Sequence, residues 1–182
     1  FNITVTDNEN PVITNCPSNI TSPTDQNVCE ASINWTVPSA SDNCSVTSFN
    51  GSSTPGDIFE LGTTNVSYTA TDAAGNQATC SFTVTIIDTE PPVINNCLSD
   101  LTFSTDADSC NALVAWTAPT VFDNCTGTIN STHNPGEIFP LGTTTVTYTA
   151  VDQAGNTTAP CVFNVIVTDD QDPVLTGCPQ NI

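Results

Sequence analysis

The stretch that decides the fold is Pro55–Asn76, PGDIFELGTTNVSYTATDAAGN, which returns 80 residues later at Pro135–Asn156 as PGEIFPLGTTTVTYTAVDQAGN. Inside it, Val66, Tyr68 and Ala70 alternate with Asn, Ser and Thr side chains. This period of two predicts a β-strand with one buried face and one face in water.

A second alternating run follows directly and carries Phe82, Val84 and Ile86 on its apolar face. Between the two runs lies Asp72–Asn76, in which Gly75 is free to adopt a positive φ. The pattern therefore predicts a β-hairpin whose loop is Asp72–Asn76.

A third alternating run, Ser32–Val37, predicts a strand with Ile33, Trp35 and Val37 on its buried face. We expect the large aromatic residues to pack in the core; these are Trp35, Tyr68, Trp116 and Tyr148. The sequence contains no capped amphipathic helix pattern. Short strands separated by frequent turn signals predict an all-β protein built from β-sandwiches.

The duplication extends over the whole chain and defines repeats of about 81 residues. Cys16, Cys29, Trp35 and Cys44 recur 81 residues later as Cys97, Cys110, Trp116 and Cys125, and Cys80 recurs as Cys161. The predicted division is residues 1–7 as the last strand of a preceding repeat, 8–88 and 89–169 as two full repeats, and 170–182 as the start of another. We therefore expect a window of a longer array, with Cys178 as the first cysteine of an incomplete repeat.

Charge limits the kinds of partner. The 182 residues include 19 Asp and Glu, no Lys or Arg and one His, which gives a net charge of −19. Such a chain repels nucleic acid and anionic lipid, and it attracts cations. Nine Cys without any C-x-x-C spacing indicate disulfides formed in an oxidising compartment. We expect an extracellular protein, secreted or at the cell surface, with no membrane insertion in this segment.

The ordered motifs carry a resemblance to a known family. D-x-x-x-P-x-I-x-x-C-P, then W-T-x-P, D-N-C, P-G-x-x-F-x-L-G-T-T-x-V-x-Y-T-A-x-D-x-A-G-N and C-x-F-x-V resemble the hyalin repeat, or HYR module, from Asp7 to Val84 and from Asp88 to Val165. The resemblance implies tandem immunoglobulin-like or fibronectin-III-like sandwiches, a role in matrix or adhesion, and no catalytic activity. The second repeat departs at Leu98, which replaces a Pro, and at Pro160.

The disulfide pairing is open from the residues alone, because four cysteines in a repeat allow three connectivities. The resemblance favours pairing the first with the last, since family members with two cysteines tend to keep those two. It thus implies four bonds: Cys16–Cys80, Cys29–Cys44, Cys97–Cys161 and Cys110–Cys125.

Asn-x-Ser/Thr sequons predict N-glycans. The candidate acceptors are Asn2, Asn19, Asn34, Asn50, Asn65, Asn130 and Asn156. Two further sequons, at Asn43 and Asn124, carry a Cys in the middle position, which should hinder modification. We also expect O-glycans on the Thr-rich faces.

Carboxylates recur where the repeats join. Asp88, Glu90, Asp123 and Asp152 are expected to converge there and to bind Ca²⁺, because Ca²⁺ prefers hard oxygen ligands. The alternative is that these acids are solvated and that Asp152 merely closes an Asx turn. Calcium and covalent glycans are the only cofactors that the sequence suggests.

Catalysis is not expected, because His133 is the only imidazole and has no counterpart in the first repeat. The sequence predicts an extracellular structural protein, a glycosylated matrix or fibre component. Its partners would be neighbouring repeats and other copies of itself. The alternative is an adhesion or receptor ectodomain that binds a specific ligand with the help of Ca²⁺.

Overall fold

The computed structural model describes residues 1–174, and these form sixteen strands and no helix. The chain divides into two compact units, Phe1–Glu90 and Pro91–Ile182. Of the segment 170–182, which we expect to begin a further repeat, residues 175–182 lie outside the described part, and so does Cys178.

The first unit contains eight strands. They are β1 (Val12–Thr14), β2 (Ile20–Pro23), β3 (Glu30–Ser32), β4 (Ser39–Ser41), β5 (Val46–Gly51), β6 (Ile58–Glu60), β7 (Gly62–Asp72) and β8 (Gln77–Ile87). One sheet has the order β2-β8-β7-β5, with β2 parallel to β8 and the other pairs antiparallel. The pairs β1–β4 and β3–β6 are antiparallel, and side chains from β3, β6, β7 and β8 share one core.

The second unit repeats this architecture. Its strands are β9 (Val93–Asn95), β10 (Leu101–Ser104), β11 (Asn111–Val114), β12 (Thr120–Phe122), β13 (Gly127–Ser131), β14 (Glu137–Pro140), β15 (Gly142–Asp152) and β16 (Cys161–Thr168). The four-stranded sheet has the order β10-β16-β15-β13, and the pairs are β9–β12 and β11–β14. The all-β class and the tandem sandwiches predicted from the sequence are confirmed.

The hairpin β7–β8 supplies most of the first core. Its register places Val66 opposite Phe82 and Tyr68 opposite Cys80. The alternate residues of both strands are buried, and Val66 is 0 % exposed, as the period of two predicts. The loop Asp72–Asn76 closes this hairpin, with Gly75 at φ 94°.

One tryptophan in each repeat packs against strands of two different sheets. The Trp35 ring meets Phe59 and Phe82 edge-on, with centroids 6.0 and 5.5 Å away. Its Nε1–H donates a hydrogen bond of 2.8 Å to Tyr68 Oη, so the indole is packed and its polar atom is satisfied. Trp116 makes the same bond, at 2.9 Å, to Tyr148. The core role predicted for these four aromatic residues is confirmed.

The strand predicted for Ser32–Val37 is wrong beyond Ser32, where β3 ends. The Ile33 backbone instead bonds to Asp57 O and Gly56 N, and Val37 is 49 % exposed. Pro38 follows, and it lacks an amide hydrogen and restricts the residue before it. The strand therefore ends at Ser32, and residues 33–38 lie outside any strand.

Residues 1–7 do not form the predicted strand. Phe1, Ile3 and Val5 alternate with polar residues, yet their exposed fractions are 114 %, 79 % and 90 %. A strand needs a neighbour that shares its hydrogen-bond ladder, and residues 1–7 pair with no strand of the described chain.

We expect Phe163→Ala to lower the free energy of unfolding of the second unit by about 3–5 kcal/mol, because Phe163 is 1 % exposed and would leave a cavity. Its neighbour Val162 is 50 % exposed on the other face of β16, so Val162→Ala is the matched control and should cost under about 1 kcal/mol. Urea unfolding followed by tryptophan fluorescence measures both variants. Equal losses would contradict the assigned faces.

Candidate functional site

Each hairpin tip is organised around one aspartate. In the first repeat, Asp72 Oδ1 accepts hydrogen bonds from the amides of Ala74, at 2.9 Å, and Asn76, at 2.8 Å. Asp72 Oδ2 accepts a third bond, of 2.7 Å, from Asn76 Nδ2. The side chain is therefore held in one orientation, and the chain reverses where the sequence predicts it to do so.

These bonds fix the charge state of Asp72. Desolvation by burial raises the pKa of the carboxyl group, but the hydrogen bonds from the side chain and backbone of Asn76 and from the amides of Gly75 and Ala74 outweigh it. The pKa of Asp72 consequently lies below its ordinary value. Asp152 has the same arrangement with Asn156, and its pKa is lowered in the same way.

A group of acids gathers near this loop in the first unit. Asp7, Asp42 and Cys44 each offer a ligand atom, and these atoms lie within 4.8 Å of one another. Asp42 Oδ2 is oriented by the amides of Cys44, at 2.9 Å, and Ser45, at 3.2 Å. The Asp7 carbonyl accepts a bond of 3.4 Å from Asn76 Nδ2, which connects this group to the hairpin tip.

The group has spare negative charge. Asp7 Oδ1 accepts a bond from the Glu9 amide, whereas Asp7 Oδ2 is buried and has no hydrogen-bond partner in the described chain. Interaction with the Asp7 side chain raises the pKa of the Cys44 thiol, as do burial and the charges of Asp7, Asp42 and Asp72. A raised thiol pKa indicates a negative local potential, which favours a bound cation.

The corresponding set of the second repeat is Asp88, Asp123 and Asp152, whose carboxylate oxygens also lie within 4.8 Å of one another. Asp123 Oδ2 accepts a bond from the Cys125 amide, while Asp123 Oδ1 is buried without a partner in the described chain. The structure thus brings together three of the four acids predicted to bind Ca²⁺.

Glu90, the fourth predicted ligand, is not part of this set. Both of its carboxylate oxygens accept from the Asn27 amide, at 3.3 and 3.4 Å. Asn27 has a positive φ of 62°, and Asp108, at the equivalent position, has 58°. Asp108 donates its amide to Gln171, the counterpart of Glu90. Glu90 therefore ties the segment after β8 back to the loop between β2 and β3.

The first-repeat set was not singled out from the sequence, although the signal was present. The duplication maps Asp88 onto Asp7, Asp123 onto Asp42 and Asp152 onto Asp72. Applying it to the predicted calcium ligands would have named Asp7 and Asp42 as well.

The donor set fits Ca²⁺ better than a softer metal. Five of the six ligand atoms in the two sets are carboxylate oxygens, and the sixth belongs to Cys44, whose raised pKa disfavours the thiolate form. Zinc sites, in contrast, use thiolate and imidazole. Oxygens of one calcium shell lie 2.3–2.6 Å from the ion and hence up to about 5 Å apart. The spacing of 4.8 Å or less is compatible with that shell.

The structure contains two of the disulfides that the resemblance implies, Cys16–Cys80 and Cys97–Cys161. Each joins the segment before the second strand of a unit to its last strand, with Cα atoms 5.9 and 5.6 Å apart. The implied bonds Cys29–Cys44 and Cys110–Cys125 are wrong. Cys44 and Cys110 are free thiols, while Cys29 and Cys125 are disulfide-bonded. The resemblance therefore identified the partners of the first and last cysteines of each repeat, but not those of the second and third.

Most of the sequons are accessible. The exposed acceptors are Asn2, Asn19, Asn34, Asn50, Asn65 and Asn130. Asn65 lies on the outer face of β7, as predicted, whereas Asn34 lies outside any strand. Asn156 is half-buried and donates its side-chain amide to Asp152 Oδ2, so a glycan there would disturb the hairpin tip.

His133 participates in a local surface contact. Its Nδ1 lies 3.1 Å from Glu137 Oε2, and its ring lies 5.2 Å from that of Phe139. Glu137 also accepts from Asn134, and these bonds hold the pKa of Glu137 below its ordinary value. The imidazole thus orders the loop before β14.

These features define a class: tandem β-sandwich repeats, each closed by a disulfide and carrying acidic groups beside a hairpin tip. The model of the HYR domain matches residues 6–86 and again residues 87–167. The chain belongs to the HYR domain family. No described residue lies in a helix long and apolar enough to cross a membrane.

Three curated relatives give the context. The chain is 35 % identical over 191 residues to Hyalin of Strongylocentrotus purpuratus and 37 % identical over 180 residues to Hyalin of Lytechinus variegatus. It covers 16 % and 34 % of those proteins, with 100 % and 96 % of its own length. A third relative is "Sushi, von Willebrand factor type A, EGF and pentraxin domain-containing protein 1" of Mus musculus, to which the chain is 36 % identical over 157 residues. That alignment covers 84 % of this chain and 4 % of the relative.

We expect acid to weaken the fold through the hairpin tips. Because the pKa of Asp72 is lowered in the folded state, its contribution to stability is complete above the unfolded pKa and is lost as pH falls through the folded one. Asp72→Asn removes the negative charge and places the side-chain amide of residue 72 beside the side-chain amide of Asn76. This variant should have a lower urea midpoint at pH 7 and lose less stability than wild type between about pH 5 and about pH 2.

Glu60→Gln is the control, since Glu60 is exposed on β6. It should follow the wild-type pH dependence. If Asp72→Asn also keeps that dependence, the assigned role of the hairpin tip is incorrect.

Proposed function

We propose that this chain is part of an extracellular structural protein, in which HYR repeats form a matrix or fibre with neighbouring repeats and other copies of the chain. The main support is the combination of two disulfide-closed sandwiches with a sequence that contains 19 Asp and Glu and no Lys or Arg. The similarity to the Hyalins agrees with this role. The disulfides support placement outside the cell or on its surface.

Rigid units suit a load-bearing array. The Glu90 and Gln171 contacts described above hold the segment that follows the last strand of each unit. Pro91 and Pro92 come directly afterwards and restrict the backbone further. Such short, constrained connections favour stiffness over the free motion of a flexible linker.

Calcium is the cation that we assign to the acidic groups. Without it, Asp7 and Asp42 repel each other across less than 4.8 Å, and Asp7 Oδ2 remains buried without a donor. A bound Ca²⁺ would neutralise these charges and pull residue 7 towards the loop that carries Asp42. Asp123 and Asp152 would act with Asp88 in the same way.

Glycans would cover the remaining surface. Bare chains of this charge repel one another over about 8 Å at physiological salt. The six exposed sequons and the outward Thr and Ser residues of β7 and β8 offer attachment points instead. Sugars there would also shield the open edges of the sheets from unwanted pairing.

The proposal predicts that the chain secreted from a eukaryotic host carries N-glycans on several sequons. Intact mass before and after enzymatic deglycosylation should differ by several glycans, and peptide mapping should place them on exposed sites rather than on Asn156. Imaging of the native material should show fibres or sheets with sugar density beside Asn34 and Asn65. Isolated particles that bind one defined ligand would favour an adhesion ectodomain instead.

The proposal also predicts that Ca²⁺ raises the melting temperature. Saturation at 100 times the dissociation constant adds about 2.7 kcal/mol, which corresponds to a rise of about 11–22 °C for units of this size. Calorimetry compares the chain in Ca²⁺ and in chelator. Asp42→Asn should reduce the shift, and Glu60→Gln, an exposed acid outside the group, should preserve it. An equal melting temperature with and without Ca²⁺ would refute the calcium site.

A further inference from the structure

A groove in the first repeat lies between the loop before β6, β6 itself and the beginning of β7. Its volume is about 650 Å³, and its lining residues include Ser53, Asp57, Phe59 and Glu60. None of these residues belongs to the acidic groups or to the disulfides described above. The groove is therefore a separate surface feature of this repeat.

The second repeat has its own side chain at the equivalent place. His133 stands where the first repeat has Ser53, and its ring lies 5.2 Å from that of Phe139, with an angle of 49° between the planes. The Nδ1 atom of His133 lies 3.1 Å from Glu137 Oε2. A planar ring that carries nitrogen thus packs beside the buried phenylalanine and contacts a carboxylate.

The first repeat keeps the groups that receive this ring but lacks the ring itself. Phe59 and Asp57 are the counterparts of Phe139 and Glu137. The hydroxymethyl group of Ser53 is much smaller than an imidazole, and Phe59 is 5 % exposed whereas Phe139 is 1 % exposed. The groove therefore corresponds to the space that the imidazole fills in the second repeat.

The first repeat also has more negative charge here than the second. Glu60 stands where the second repeat has Pro140. The strand register places Glu30 directly opposite Glu60, whereas the corresponding pair of the second repeat is uncharged. Hydrogen bonds from the backbone and side chain of residue 54 hold the pKa of Asp57 below its ordinary value, so this carboxylate is ionised. The chain contains no Lys or Arg to balance these charges.

We propose that this groove binds an arginine side chain of a partner protein. The planar guanidinium group is always charged, stacks on aromatic rings and donates to two carboxylate oxygens at once. Asp57 and Glu60 offer the carboxylates, and the exposed part of Phe59 offers the ring. Lysine has the charge but not the planar group, and histidine has the planar group but is mostly neutral at neutral pH.

The partner is a different and basic protein. A second copy of these 182 residues contains no Arg, and its one His already contacts Glu137. The net charge of −19 repels such copies and attracts a basic surface. The first repeat would then be an adhesive unit, while the second, filled by its own imidazole, would not bind. This inference goes beyond the proposed structural role, which would stand even if the groove bound nothing.

The experiment is a titration of the isotope-labelled, disulfide-bonded chain, followed by its amide chemical shifts in solution NMR at about 0.15 M salt, where long-range attraction is screened. The probes are blocked tripeptides that carry arginine, lysine or histidine between two glycines. The chain is unglycosylated, because Asn34 lies beside Gly56 and a sugar there would cover the groove. We expect the arginine peptide to shift the amides of residues 56–60 until saturation, and to bind about fivefold more tightly than the other two.

Two variants of the first repeat test the lining residues. Ser53→His combined with Asp57→Glu copies the second repeat into the first, and it should abolish the shifts at residues 56–60. Glu60→Gln should weaken binding about two- to fivefold, because it removes one exposed charge. Asp172→Asn is the matched control, since it removes an exposed acid of the other unit, and it should leave the affinity unchanged.

A variant of the second repeat provides the reciprocal test. His133→Ser combined with Pro140→Glu opens the equivalent groove and adds its second carboxylate. The arginine peptide should then shift the amides of residues 136–139 as well. The dispersion of the remaining amide signals shows whether a variant is folded, and the filled and opened variants alter different repeats, so either of them alone decides.

Equal affinities for the arginine and lysine peptides would overturn the inference, because they would indicate attraction to negative charge alone. Shifts at the hairpin tips instead of the groove would have the same meaning. A preference for the histidine peptide, binding that persists in the filled variant, or no shift with any peptide would also overturn it.

Discussion

The register of the long hairpin in each repeat is the constraint on which the rest of the structure depends. In β7–β8 this register puts Val66 opposite Phe82 and Tyr68 opposite Cys80. A slip of one residue would turn the whole apolar face to water. It would also remove the acceptor of the Trp35 hydrogen bond and carry Cys80 away from Cys16. Core, aromatic contacts and disulfide therefore follow from one pairing.

The same hairpin connects the fold to the acidic groups. Its tip is closed by Asp72, whose bonds to Asn76 fix the register at one end. The Asn76 side chain also donates to the Asp7 carbonyl and thereby holds the beginning of the acidic group. Asp42 joins this group from the loop that leads into β5. In the second repeat Asp152 both closes the turn and belongs to the acidic group. The Asx turn is therefore present, and the role of Asp152 as a metal ligand stays a prediction.

The sequence predicted the parts of the fold that depend on local pattern. Alternation identified β7 and β8, and the D-x-A-G-N motif identified their loop. It failed where backbone bonds override the side-chain pattern, as at Ile33, which bonds to Asp57 and Gly56. It failed again at residues 1–7, because alternation cannot supply a partner strand. In the sequence, Glu90 and Asp123 look alike as acids expected where the repeats join. In the structure, Glu90 accepts from the Asn27 backbone amide, whereas Asp123 belongs to the acidic set.

Cysteine pairing was likewise predicted correctly in one part and wrongly in another. The pair formed by the first and last cysteines was implied by the family resemblance and agrees with the structure. The bond between the second and third cysteines was implied only because the resemblance paired the other two. A disulfide requires two Cβ atoms at a suitable distance and side chains that point towards each other, and the spacing of cysteines in a sequence reveals neither. Knowledge of which thiols remain free was needed to correct the pairing.

Native-state amide hydrogen exchange tests the central role of the hairpins most directly. If they form the stable centre of each repeat, the interior amides of β7, β8, β15 and β16 should exchange last, through global unfolding alone. The short pairs β1–β4 and β9–β12 should exchange much earlier, by local opening. Exchange of the β7–β8 amides at the rate of the β1–β4 amides would contradict the account.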